Sequence, residues 1–397
     1  MGTISYSMTN VGENAMDFDV IIFGGGVAGL WLANVLAQAG YNLALIENDK
    51  LGSGQTLASQ GMIHGGQKYE LGGAQSSSAR VLGPMPKRWD ACFDGVGDVN
   101  LTGVRFLSET QVMWPAGRAL GVRAAALLVS AKTKKLARND FPEVLRVDNA
   151  FRGPVYSLPE KVLDARSLIA CLAKELEGRV FKGKLVELHP GEAVVSGHVL
   201  RAQVMIFTAG VGNEFVLNKL RAAGRRAQRR PLRQIMVRPM RSALFGHGIA
   251  HSYNPRITVT SHPIGGGGYV WYIGGNVAEK GAALDELAAL DFAREELAQI
   301  FPRMDWRNKE WATWLCDRAE PFDPKGRLPT GPRVEQLGSI LVAWPTKLTF
   351  APAMSDSVSA LLATSNVRRS LRSDPPSLPP AEVGTYPWEA ATWQIFN

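Results

Sequence analysis

The sequence predicts an α/β fold that opens on a parallel sheet. Three adjacent features carry this: the apolar run Val20-Ile21-Ile22-Phe23, the turn Gly24-Gly25-Gly26-Val27-Ala28-Gly29, and the helix-type run Leu30 to Leu36. A strand, a glycine turn and a helix in succession aim backbone N–H groups and a helix N-terminus at one point, which is where a pyrophosphate is held. Ala33 is small enough for the helix to lie close on the sheet. Asn42-Leu43-Ala44-Leu45-Ile46 reads as the second strand, and it ends in Glu47, eighteen residues beyond Gly29. A carboxylate at about that distance accepts ribose hydroxyls and repels a 2′-phosphate. Glycine turns of this kind also occur without a ligand, and the second strand with its acid favours the dinucleotide reading. Gly24, Gly26, Val27, Ala28, Gly29, Glu47 and Asn48 are therefore candidate cofactor contacts.

The residues after Glu47 bear on which dinucleotide is bound. Leu51 to Gly66 shows no apolar periodicity and is rich in glycine, hydroxyls and amides. A nicotinamide domain usually runs straight into another βα unit here, whereas this stretch reads as a long loop or broken helix lying along a larger cofactor. It favours FAD, with Gln55, Thr56, Ser59, Gln60, Gly61, Met62, Ile63 and His64 as contacts.

Gly24 to Glu47, the Ser/Gly/Gln loop and Ile63-His64-Gly65-Gly66 together resemble the FAD-dependent D-amino-acid oxidase superfamily. That superfamily includes glycine and sarcosine oxidases and the glycerol-3-phosphate and L-2-hydroxyglutarate dehydrogenases. Later segments resemble it too: Val162 to Leu168 its Asp-led helix, Val204 to Gly210 the strand and alanine–glycine turn that return to the cofactor, Pro231 to Ile235 and Tyr272 to Asn276 strands of its substrate domain, and Phe350 to Asp356 the loop and helix start facing the flavin. The resemblance implies a Rossmann-like FAD-binding domain, discontinuous in sequence, and an α+β substrate domain with a mostly antiparallel sheet. On that basis residues 17–90, 154–226 and 324–370 form the first domain, and 91–153 and 227–323 the second. Residues 1–16 read as a disordered leader and 371–397 as a Pro/aromatic tail. The resemblance adds Val186, Thr208, Ala209, Gly210, Lys347, Leu348 and Thr349 to the cofactor contacts.

Within this frame, Val104-Arg105-Phe106-Leu107 and Gln111-Val112-Met113-Trp114 read as strands around a turn, Lys184 to Leu188 and Val194-Val195 as short strands, and Ile257 to Thr260 and Tyr269 to Ile273 as further strands. Ala282 to Ile300 carries apolar residues at three-to-four spacing and reads as a helix. Ser373 to Pro380 is too proline-rich to be helical. The aromatic run Tyr386 to Phe396 is expected to pack back on the body, since exposed tryptophans are costly, with a membrane-surface or partner contact as the alternative.

At 397 residues with 46% hydrophobic composition, the chain can bury a large core. No apolar run is long enough to span a membrane. Three cysteines, Cys92, Cys171 and Cys316, at unrelated spacings argue against a zinc site or a disulfide framework; no metal is expected, and the cytoplasm is the expected compartment. The net charge of +8 is local. Arg221, Arg225, Arg226, Arg229, Arg230, Arg233, Arg238 and Arg241 stand together without an acid, and without these eight the remaining 36 basic residues equal the 36 acidic ones. This stretch reads either as a solvated helix–loop face or as a seat for an anionic substrate, nucleic acid or the inner membrane surface. No aromatics interleave it, so base stacking is not indicated.

In a flavoenzyme the cofactor carries the redox chemistry, and the protein presents a C–H bond and removes a proton beside it. Three side chains are candidates for that work. His64 is the histidine nearest the expected flavin ring, and histidine is the residue type suited to removing a hydroxyl proton. Lys347, on the loop before the helix near Ala353, adds positive charge where the reduced flavin collects negative charge. Arg318 stands, by the resemblance, near the arginine with which glycine oxidase holds its substrate's carboxylate; Asp317 and Glu320 are rival partners. His251 and His262 are further histidines of the substrate side. Cys316 falls where monomeric sarcosine oxidase attaches its flavin by a thioether, but non-covalent FAD is the expectation. The histidyl attachment of dimethylglycine-type relatives is not expected, because Ala58 stands at that position. The predicted activity is oxidation of a small anionic amine or amino acid, with electrons passing to oxygen or a carrier. A 2-hydroxy acid or polyol-phosphate dehydrogenase is the alternative within the superfamily, and an RNA- or membrane-binding flavoprotein the alternative of another class.

Overall fold

Phe18–Phe23 is the middle strand of an eight-stranded sheet, and all six of its residues are buried, as expected for a parallel strand covered on both faces. The computed structural model describes residues 17–65, 81–117, 133–147, 151, 153–220, 227–250, 254–371 and 374–396. Val20 pairs in parallel with Leu43 of Leu43–Glu47 on one side and with Val204 of His198–Phe207 on the other. Val180–Lys182 continues the parallel order beyond the second strand, and Ile340–Trp344 beyond His198–Phe207. A hairpin with Arg333–Leu337 closes that edge, and the antiparallel strands Leu185–His189 and Glu192–Val195 attach to the start of His198–Phe207. The helices Val27–Gln38, Ala165–Lys174 and Ala351–Thr364 cover one face, packing around Trp31, Leu168, Met354 and Val358.

A second, nine-stranded sheet is antiparallel apart from the parallel pairing of Gly246–Ile249 with Gln111–Pro115. It runs in order Gln394–Ile395, Glu310–Pro321, Ala227–Met240, Gly268–Gly274, Ile257–Ile264, Gly246–Ile249, Gln111–Pro115, Tyr156–Leu158 and Lys134–Lys135. Its outer face buries Ile235, Val237, Trp271 and Trp311 under the helix Glu286–Ile300. A parallel α/β sheet with a mostly antiparallel partner is the fold class that the sequence predicts. No helix among the described residues is long and apolar enough to cross a membrane.

Local expectations differ from the structure in three places. The strands around residues 104–114 do not pair with each other: Phe106–Ser108 pairs with Val162–Leu163, while Gln111–Pro115 enters the nine-stranded sheet. The helix expected over 282–300 starts four residues later, as Glu286–Ile300, because Asp285 caps it by accepting from Ala288 N; a separate short helix, Asn276–Gly281, precedes the expected start. The arginine stretch is not a helix–loop face where it is described, since Arg229, Arg230, Arg233 and Arg238 lie on the strand Ala227–Met240. The acids it lacks in sequence arrive from elsewhere: Glu214 and Asp317 reach Arg229, Glu320 reaches Arg230 and Glu310 reaches Arg238. Arg221, Arg225 and Arg226 lie outside the described residues, as does the expected leader.

The tail packs on the body. Tyr386 and Trp388 are buried against Met236, Tyr272 and Ala312, and Gln394–Ile395 adds a strand beside Glu310–Trp311. Tyr386 donates to Asp164 at 2.6 Å, so the tail grips the cap of the helix Ala165–Lys174.

Candidate active site

The glycine turn fits a dinucleotide on steric grounds. Gly24 has φ +109°, a backbone state that favours glycine, and a Cβ there would stand 2.6 Å from the Thr208 carbonyl oxygen. A Cβ on Gly29 would stand 2.0 Å from the Gly24 carbonyl oxygen. The helix that follows starts on Gly26, which brings no side chain of its own to the positive dipole end. Val27 N donates to Thr56 Oγ1 at 3.1 Å. Glu47 lies directly over the turn: Oε2 accepts from Gly25 N at 2.7 Å and Oε1 from Asp49 N at 2.9 Å, which leaves lone pairs for ribose hydroxyls. Thr208 Oγ1 donates to the Gly24 carbonyl, Ala209 N to Asn213 Oδ1, and Gly210 turns with φ +58°. Val186 is half exposed, and its carbonyl accepts from Lys219 Nζ. The glycine turn, the helix N-terminus and the acid together suit an FAD diphosphate and ribose.

The loop from Leu51 to Gly65 joins the two sheets. Several of its polar side chains are committed to protein partners: Gln55 Oε1 accepts from Ala319 N, Ser59 Oγ donates to Thr56 O, and Gln60 Nε2 donates to the carbonyls of Thr258 and Tyr272. The Tyr272 hydroxyl donates to Ala58 O. Gly61 has φ +65° and passes so close to Leu163 O that a Cβ would stand 2.3 Å away. Met62 bridges to Val162 and Ile63 N donates to Lys161 O.

Strand pairing assembles the opposite wall, because directly paired residues share a face. One row crosses the second sheet as Trp314 beside Gln234, then Gly274, Thr258, His247, Met113 and Tyr156. Gln60 lies against the bare Gly274, where a Cβ would stand 2.9 Å from its Oε1, so the row faces the dinucleotide unit.

His64 stands where these walls meet. Its backbone N donates to Thr349 Oγ1 at 3.2 Å, which joins two segments that the sequence nominates separately. Thr349 is buried and its carbonyl accepts from Trp89 Nε1. Lys347 and Leu348 precede it, with Lys347 Nζ 5.5 Å from the Phe350 ring centroid; a short 3-10 turn then feeds the uncapped helix Ala351–Thr364. His64 Nδ1 lies 3.3 Å from Glu160 Oε2, and Glu160 Oε1 accepts from Gly65 N at 2.7 Å. The His247 ring centroid is 6.2 Å from that of His64, and its Nδ1 is 2.9 Å from Thr258 Oγ1. Sequence reasoning misses Glu160 and His247. Neither belongs to a motif, and only the tertiary fold brings a carboxylate 96 residues away to His64.

Arg318 and His262 have other surroundings. Arg318 Nη2 is 3.4 Å from Glu279 and its Nε 3.4 Å from Arg230 O; burial lowers its pKa against the pull of Glu279 and Glu320. The expected rivals are taken elsewhere, Glu320 by Arg230 and Asp317 by Arg229. His262 is buried, with its ring centroid 4.1 Å from that of Trp388, and desolvation drops its pKa to about 3. It is a neutral core histidine. His251 lies outside the described residues. Cys316 is a free thiol pushed up to about 11 by burial.

The chain belongs to the FAD dependent oxidoreductase family (DAO), which it matches over residues 19–356. It is therefore an FAD-dependent oxidoreductase with a Rossmann-like cofactor fold. It is similar to a probable FAD-dependent oxidoreductase of Pseudomonas aeruginosa, with 39% identity over 387 residues, covering 95% of this chain and 99% of the relative. The crystal structure of that bacterial protein superposes with a TM-score of 0.81 at 37% identity, over 95% of this chain and 98% of the other. Glycine oxidase from Geobacillus kaustophilus shares the fold at TM-score 0.58 and 16% identity, over 93% of this chain and all of the other. FAD-bound L-α-glycerophosphate oxidase from Mycoplasma pneumoniae shares it at TM-score 0.60 and 16% identity, over 93% and 99%.

Proposed function

We propose that the protein dehydrogenates a small anionic substrate at a carbon bearing a hydroxyl group, with His64 as the base. The observation that carries this reading is the His64–Glu160 pair at the meeting of the His64 loop, the Thr349 loop and the inner row of the second sheet. An alcohol needs a base to take its proton as hydride leaves, whereas a neutral amine can react unaided. The sequence ranks the amine first because of Arg318; in the fold that guanidinium lies against Glu279, which removes the main support for a free carboxylate clamp.

Gly24, Gly26 and Gly29 with the first turn of Val27–Gln38 would hold the FAD diphosphate, and Glu47 the ribose. Bound FAD supplies the two-electron acceptor for the substrate hydride. His64 removes the hydroxyl proton. Thr349 fixes the backbone of His64, and Thr258, His247 and Gln234 line the facing wall. Lys347 supplies positive charge on the flavin side of the cleft. Electrons then leave to oxygen or to a carrier protein.

Anaerobic bleaching near 450 nm, a general property of oxidised flavins, tests this against sn-glycerol 3-phosphate, 2-hydroxy acids and amino acids. Bleaching by a hydroxy compound, with a rate that falls at least 100-fold in His64→Gln, is the expected result. Bleaching by amino acids alone, undiminished in His64→Gln, would return the reading to amine oxidation. Readmitted air separates an oxidase, which reoxidises quickly, from a dehydrogenase.

A further inference from the structure

We propose that Glu160 is a positioning residue that fixes His64 with its proton on Nδ1 and steadies the imidazolium formed when Nε2 takes the substrate's hydroxyl proton. This rests on the preceding reading of His64 as the base. Both carboxylate oxygens point at the same short segment: Oε2 is 3.3 Å from His64 Nδ1, and Oε1 accepts from Gly65 N at 2.7 Å. The backbone bond holds the carboxylate beside the residue after the histidine, within reach of the ring. Only 2% of the Glu160 side chain is exposed, against 26% for His64. A carboxylate so removed from water must be satisfied by protein groups, and an N–H from the ring is one that it can accept.

The partition of protons follows. An imidazole that gives its Nδ1 hydrogen to Glu160 has its lone pair on Nε2, the state a base requires. When the substrate's O–H bond breaks, the proton goes to Nε2 and the O–H electron pair becomes the second bond of the carbonyl. The C–H electron pair leaves as hydride to the two-electron acceptor already named. The positive charge then lies across the ring from an anion, where a low dielectric strengthens the attraction. Among the described residues, the other titratable groups on the segments that meet here include His247, beside Thr258; Tyr156, in the same row; Lys161, turned to Asp90; and Lys347, over Phe350. His64, Glu160 and His247 each present one atom within 4.8 Å of the other two, so a bound divalent ion is the competing use of the same cluster.

The test is ¹⁵N NMR of the full-length, FAD-loaded protein labelled at histidine, assigned with His64→Gln and His247→Gln and recorded from pH 5.5 to 9 with and without EDTA. For wild type the expected spectrum shows His64 protonated at Nδ1 and unmoved by EDTA. In Glu160→Gln its titration midpoint falls by at least one pH unit, a tenfold change in proton affinity, because the anion that favours the charged ring is gone. With the hydroxy compound that bleaches the flavin, the same variant should lose about 100-fold in the rate of bleaching, and its rate–pH profile should shift the same way. If Glu160→Gln does not take up FAD, Glu160→Asp and the wild-type tautomer decide; Asp should keep the midpoint within half a unit. A His64 protonated on Nε2, a midpoint indifferent to Glu160→Gln, or signals displaced by EDTA would each overturn the proposal. Loss of bleaching in His64→Gln but not in Glu160→Gln would sink this inference alone. Retention in both would sink the reading of His64 as a base.

Discussion

Replacing Gly29 by alanine tests whether the opening turn is a diphosphate cradle. The added Cβ would stand 2.0 Å from the Gly24 carbonyl oxygen and 2.6 Å from Thr208 Oγ1. An unstrained contact is about 3.5 Å, so helix and turn must part by roughly 1.5 Å, and the N-terminal amides withdraw from the diphosphate by a similar amount. Each charge-assisted hydrogen bond is worth ~1.5–3 kcal/mol, so losing two weakens FAD binding by ~3–6 kcal/mol, about 10²- to 10⁴-fold. Gly26→Ala is the intermediate case, since its Cβ would meet only Thr56 Oγ1, at 3.2 Å. Gly54→Ala is the control, as nothing lies within 4 Å of a Cβ there. Fluorescence-quenching titration of FAD into the apoproteins should rank them wild type, Gly54→Ala, Gly26→Ala, Gly29→Ala, with the second within threefold of the first. A yellow Gly29→Ala protein that binds FAD within threefold of wild type would falsify the cradle.

Two other perturbations have signs fixed by the structure. Burial opposes ionisation of Asp164, yet hydrogen bonds from Tyr386, Ser167 N and Arg105 hold its carboxyl below the ordinary range. The stability from this group is therefore present above the unfolded pKa and lost as pH falls through the lowered folded value. Tyr386→Phe should cost about 1–3 kcal/mol at pH 7 and progressively less on acidification below the usual carboxylate range. Melting curves at several pH values read the difference, and a gap that stays constant into strong acid would contradict it. For Cys316, burial pushes the thiol up to about 11, so almost none is thiolate at neutral pH. Acid precipitation should release all the flavin and leave a colourless pellet, and Cys316→Ala should retain full FAD; a yellow pellet would mean a thioether.

The cofactor half of the protein was legible because its signals are local. Strand, turn, helix and second strand occupy Phe18 to Glu47 without interruption, and steric need for glycine at Gly24 and Gly29 marks the turn whatever surrounds it. Asp164 leads a helix as the family resemblance implies, and its cap acts within one turn. The boundary at Asp285 carries a capping signal of the same kind, although the apolar periodicity runs on through it to Ala282. The charge stretch misled because its neutralising acids arrive through the tertiary fold, from the paired strand Glu310–Pro321 and the helix Gly212–Lys219.

The sequence by itself determined the dinucleotide turn at Gly24–Gly29, FAD as the favoured occupant, and His64 as a candidate base. Those conclusions depend on neighbours within a few dozen residues, and short-range geometry is written directly in the order of side chains. Only the tertiary structure decided what surrounds His64 and what claims Arg318. It set Glu160 against the His64 ring, ran His247 and Thr258 across the facing sheet, and turned Arg318 to Glu279. Hydrogen bonds between residues tens to hundreds of positions apart depend on strand order and register, which the packing of the whole chain fixes.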